Sequence, residues 1–198
     1  MAGDLILLVL AALPLMGSPG PATLSLAAIG AAFGARVSIN YFLGITLGTI
    51  GVLLLIAVGI TGLILAEPAL TIVISLLAAA YILYLAYRIA TAPVIGSGLT
   101  ASKPPSFMGG FLLAIANPKA YVAISAVYSG NILLPDNLLL DTVFKIATLT
   151  MVIIVVNTLW LIFGSLLATR LQNPRVSRTV NILFAVMLVA SVVLSLLL

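Results

Sequence analysis

Cysteine and histidine are both missing from this chain of 198 residues, and Asp, Glu, Lys and Arg together supply only 6% of it. Without thiols or imidazoles there is no thiol redox chemistry, no Cys or His metal ligation and no imidazole proton relay. The lack of cysteine also removes any clue to the redox compartment. With so few charges no soluble surface can be built, since 64% of the residues are hydrophobic and the mean hydropathy is strongly positive. A spanning helix consumes about 20 apolar residues, so the length allows roughly six helices with short loops and no separate aqueous domain. The formal charge of +4 comes from cations scattered singly or in a small group at Arg170, Arg175 and Arg178. That distribution reads as membrane orientation and argues against nucleic acid as a partner. Asp4 stands where a secretory signal would carry basic residues, and its apolar run continues through Pro14. The N-terminus is therefore expected to be a retained first helix.

What the chain has in abundance is apolar runs, at about 5–33, 39–65, 69–89, 107–129, 142–168 and 179–198. The breaks between them hold the few charges and most turn formers: Gly34-Ala-Arg36, Glu67-Pro68, the stretch from Pro93 to Pro105, Pro135-Asp-Asn137 and Asn173-Pro-Arg175. Runs such as Val52 to Val58 do not alternate polar and apolar residues as barrel strands do. The expected fold is an all-α integral membrane protein of six transmembrane helices in one domain, 1–198. Arg36, Arg88, Lys103, Arg170, Arg175 and Arg178 fall in the connections after helices one, three and five, whereas only Lys145 falls on the other side. Six cations against one place the first set in the cytoplasm and both termini outside. An odd number of helices per half makes the second half, if it repeats the first, inverted. The two pseudo-repeats are expected at 1–92 and 107–198.

The sign of such a repeat is that each half opens with a proline-interrupted helix, at Ser18-Pro19-Gly20-Pro21-Ala22 and at Asn117-Pro118-Lys119-Ala120. Proline removes a backbone donor and clashes with the preceding turn, so neither stretch holds a regular helix easily. Irregular backbone survives in a bilayer only where it faces protein or water. Two breaks in corresponding positions point to a transport site, whose candidate residues are Pro19, Gly20, Pro21, Asn117, Pro118 and Lys119. The restarting helices after Pro21 and Pro118 each add partial positive charge from free amides.

Lys119 is the most informative residue, lying about 12 residues and roughly 18 Å into its span at 1.5 Å per residue. A central lysine costs about 2.5 to 3.5 kcal/mol to insert, so it should face the interior and have a partner. Asp4, Glu67, Asp136 and Asp141 all fall near predicted helix ends, which leaves backbone, water or substrate. A carboxylate about 4 Å away contributes roughly 4 kcal/mol at an effective dielectric near 20, enough to offset burial. A purely structural, snorkelling lysine is the competing reading. Asn157, mid-span in helix five, joins the candidates as either interhelical glue or a cavity-lining polar group. Tyr81, Tyr84 and Tyr87 fit an aromatic interface belt. Gly30 with Gly34, and Gly44 with Gly48, have a spacing that permits close helix contact and also self-association into a homo-oligomer.

Taken together, Ser18-Pro-Gly-Pro21 followed by Gly34-Ala-Arg36, the segments Ala78 to Arg88 and Trp160 to Ala168, and Gly109-Gly-Phe111 through Asn117-Pro-Lys-Ala120 resemble the LysE/RhtB amino-acid exporter family over nearly the whole chain. The resemblance implies an exporter of amino acids or related small carboxylate-bearing metabolites in the prokaryotic cytoplasmic membrane, with a small-molecule substrate, the lipid bilayer as its surroundings and no cofactor. The chain departs from the family pattern at Ala22, where members often place Asn or Asp, and its second helix offers Thr46 and Thr49 but no ionisable residue. An intramembrane enzyme would need His, Cys or paired acids within the membrane. A metal-ion transporter would need buried acidic or soft ligands. That reading and a non-transporting structural or assembly subunit stand as alternatives.

Overall fold

Proline and glycine divide the apolar runs much as the sequence suggests. The structure is a computed structural model that describes residues 2–59, 68–91, 105–170 and 174–197, in which all regular structure is helical. The helices are α1 (Ala2–Gly17), α2 (Pro21–Phe33), α3 (Ile39–Ala57), α4 (Pro68–Ala90), α5 (Phe107–Ile115), α6 (Pro118–Ser129), α7 (Leu138–Arg170) and α8 (Pro174–Leu197). Pro21 and Pro118 each sit at the first turn of their helix, where a missing N–H costs nothing and the fixed φ favours initiation. The chain therefore stops and restarts at both breaks. Axes bend by 65° between α1 and α2 and by 58° between α5 and α6.

Length and composition make α3 and the stretch 138–167 of α7 candidate membrane spans, and each bent pair qualifies when taken as one, giving two to four in the described residues. Apolar exposure agrees with a bilayer. Along α7, Leu149, Val152, Ile153 and Val156 are buried while Met151 (69% exposed), Leu159, Phe163 and Leu166 point outward. A continuous outward face of that chemistry is unsuited to water. The chain is an integral membrane protein.

Close approach of backbones holds the helices together. A methyl added at Gly110 of α5 would lie 2.5 Å from the Tyr41 carbonyl oxygen, and one at Gly48 of α3 would lie 2.7 Å from the Phe111 carbonyl. Gly44 meets the backbone at Phe107 in the same seam. Between α2 and α7, Gly30 lies against the Leu161 carbonyl and Gly164 against the backbone of Ala27. Small residues thus let α3 seat on α5 and α2 on α7. Gly34 has a different job: at φ 83° it caps α2, and a methyl added there would meet nothing within 4 Å, so it is not the packing partner of Gly30 that the spacing suggests. One apolar core gathers α2, α4 and α8 with parts of α3 and α5, and a second gathers α1, α6 and α7 with the rest of α3.

Three sequence expectations change. Helix five begins at Leu138 instead of 142, and Asp141 and Lys145, read as end charges, are both 5% exposed and form an ion pair at 2.8 Å. The Asp141 carboxylate also accepts the Leu133 and Leu134 amides at 2.6 and 3.0 Å, and Lys145 lies over the Tyr128 ring. The pair closes the connection from α6 onto the first turns of α7. Helix two ends at Ala57, with Gly59 at φ 77° in the following turn, and 60–67 lie outside the described residues. Helix six starts earlier than 179, at Pro174. Of the linker between the proposed halves only Pro105 is described.

Candidate functional site

The two helix breaks meet. Helices end with carbonyls that lack intrahelical donors, and prolines at 19 and 21 withhold the amides that would ordinarily follow. Side chains from distant elements supply the donors. The Trp160 indole of α7 donates to the Gly17 carbonyl at 3.0 Å, and the Lys119 ammonium of α6 donates to the Ser18 carbonyl. The Ser18 hydroxyl turns back to the Leu15 carbonyl at 3.0 Å. On the other side of the break, Thr23 accepts the Gly20 amide at 3.0 Å, and its own proton is shared by the Gly20 and Ser18 carbonyls at 3.2 and 3.3 Å. These bonds gather at the break between α1 and α2, residues 18–20, and at the helix ends that flank it.

Glycine at 20 leaves room for the lysine. Its φ of −170° is extended backbone open to any residue, but a methyl there would lie 2.5 Å from Lys119 Cδ and 3.0 Å from Nζ. The lysine stem crosses directly over the break.

Beside this crossing lies a cavity of about 40 Å³, room for one or two waters. Its polar lining is Gly20, Thr23, Thr49, Asn117, Lys119 and Asn157, and small side chains at Ala22, Ala120 and Ala123 form part of the remainder. The first turns of α2 and α6 both border it, so the positive ends of two helix dipoles and the lysine make the lining electropositive. Among the described residues no carboxylate lines the cavity beside Lys119, and the buried Asp141 is paired with Lys145 elsewhere. Asn117 is 3% exposed, and its Oδ1 has no hydrogen-bond partner; a buried acceptor left so costs about 1 to 3 kcal/mol.

Of the candidates from sequence, Gly20, Asn117, Lys119 and Asn157 line the cavity. Pro19, Pro21 and Pro118 shape the breaks without lining it. Asn157 fills both roles considered for it, since its Nδ2 donates to Thr46 of α3 at 3.2 Å while it borders the cavity. Tyr84 and Tyr87 are exposed as a belt requires, whereas Tyr81 packs inward with its hydroxyl against Gly109. Thr23 and Trp160 were not among the candidates. Their signals were present: Thr23 stands three residues after Gly20, the spacing of a capping side chain, and Trp160 is the only tryptophan, one helical turn from Asn157.

Comparison with known proteins bears on the same residues. The sequence model of the LysE type translocator family matches residues 13–197, a stretch that includes both breaks. The chain is 31% identical over 173 residues to the cysteine/O-acetylserine efflux protein of Escherichia coli strain K12, covering 87% of each chain. It is 32% identical over 174 residues to the protein of the same description from Salmonella typhimurium strain LT2, again over 87% of each. No solved structure matches the chain.

Proposed function

The chain belongs to the LysE type translocator family and is a membrane transporter, not an enzyme; from that premise we propose that it exports small amino acids, or related carboxylate-bearing metabolites, from the cytoplasm through the meeting point of its two helix breaks. The observation that carries this reading is the Lys119 ammonium resting on the Ser18 carbonyl at the edge of a cavity bordered by two helix N-termini. A carbonyl is a weak partner for an ammonium compared with a carboxylate. An arriving substrate carboxylate takes Lys119 from Ser18, and the freed carbonyl loosens the contact between the breaks. Because the cavity holds only one or two waters, substrate entry requires the bent pairs to separate. Binding and opening are then one event, as differential affinity between two conformations demands. The small lining residues Ala22, Ala120 and Ala123 suit substrates of the size named for the relatives, cysteine and O-acetylserine.

The same reading extends to architecture: six spans in two inverted halves, 1–92 and 107–198, in the inner membrane with both termini outside. Reciprocal packing supports it. The first bent pair packs on α7 and the second on α3, while α3 meets α7 and α4 meets α8, the pairing that a two-fold relation between halves would generate. The experiment is metabolite excretion. Bacteria expressing the chain should accumulate cysteine or O-acetylserine in the medium several-fold above cells lacking it; no change in any excreted amino acid would contradict the proposal.

A further inference from the structure

We propose that the Asn117 side-chain oxygen receives the substrate's ammonium group, so that Lys119 and Asn117 together read both ends of a zwitterion; this rests on the carboxylate role given to Lys119 above. Asn117 occupies the N-cap of α6. An asparagine there ordinarily turns its oxygen onto an amide of the first turn. Asn117 makes no such bond. Its oxygen is instead buried without any partner, and the residue borders the cavity that Lys119 borders. Buried acceptors in this condition are uncommon and call for an explanation.

A neutral amide oxygen recognises a donor and gives nothing to an anion. The Thr23, Thr49 and Asn157 side chains of the lining each already make a bond, Thr23 to the backbone at the break, Thr49 to the Ile45 carbonyl at 2.8 Å and the Asn157 amide nitrogen to Thr46, whereas the Asn117 oxygen is buried and makes none. Among the described residues no Asp or Glu lines the cavity, so an ammonium group entering it meets neutral oxygen there. In an α-amino acid the two charged groups share one carbon. Lys119 and the unpartnered Asn117 oxygen border one cavity, and a substrate lacking the ammonium leaves that buried acceptor still unpaired. Selection against deaminated acids follows from that penalty.

The test uses the full chain in proteoliposomes, with uptake of radiolabelled cysteine under reducing conditions competed by unlabelled cysteine or by 3-mercaptopropanoate, which is cysteine without its ammonium group. Wild type should prefer cysteine at least tenfold. Asn117→Leu, normalised to folded protein, should lose most of that preference, while Asn117→Asp, which retains an acceptor oxygen, should keep it. A wild-type protein that does not distinguish the two compounds would overturn the proposal whether or not the variants fold, as would an unchanged preference in Asn117→Leu. The carboxylate role is separable, because Lys119→Gln should weaken both compounds alike. If Lys119→Gln weakens neither, that role fails while the preference ratio still reports on Asn117.

Discussion

Among single residues, Asp141 and Lys145 show best where sequence reading stops. Four residues apart, they have the helical ion-pair spacing, but Pro135-Asp-Asn137 nearby marks a turn, which in sequence puts both near a helix end. Burial is what composition could not give. Once α7 starts at Leu138, the aspartate faces the Leu133 and Leu134 amides and the lysine faces Tyr128. Breaking a buried pair leaves an uncompensated charge at a cost of about 3 to 5 kcal/mol. Asp141→Ala should therefore lower the thermal unfolding midpoint in detergent clearly, and joint replacement with Lys145→Met should recover part of the loss. An unchanged midpoint for Asp141→Ala would mean the pair is marginal. Lys119 was legible by contrast, because a lone cation in a run of apolar residues needs a partner wherever the neighbouring helices lie. That its partner would be Ser18 was not legible, since the contact joins residues 101 apart.

At the level of elements, the breaks were readable because proline acts locally: its missing amide and fixed φ do not depend on tertiary context. The bends of 65° and 58° are consistent with that. The long α7 was harder, because its 33 residues span about 50 Å, well beyond the roughly 30 Å of hydrocarbon, and its charged start looks like a loop. Glycine spacing gave the seams between α3 and α5 and between α2 and α7 only in outline. Gly44 and Gly48 share one contact surface, whereas Gly34 caps a helix. Replacing Pro19, Gly20 and Pro21 together by Ala should yield a protein that inserts and accumulates but transports poorly, since a continuous helix would pull Ser18 away from Lys119 and the new methyl at 20 would displace the lysine stem. Expression by immunoblot and efflux must be measured separately. Full efflux at normal abundance would reduce the break to an ordinary kink.

For the molecule as a whole, composition alone was enough to place the chain in a membrane, because the outward faces of its helices have no polar alternative. The proposed orientation rests on the cation count alone. The absence of cysteine makes labelling clean: Gly3→Cys should react with an impermeant maleimide in intact cells, and Ser102→Cys only after permeabilisation. Equal labelling of both from outside would contradict the proposed topology and remove the basis for inverted halves. The central claim, that the two breaks form one substrate site centred on Lys119, is tested most directly by cysteine efflux from proteoliposomes, normalised to folded protein. Lys119→Gln should lower the rate at least tenfold with the thermal midpoint little changed, and Lys119→Arg should retain part of it because the charge persists in a different shape. Equal efflux for wild type and Lys119→Gln would contradict the account.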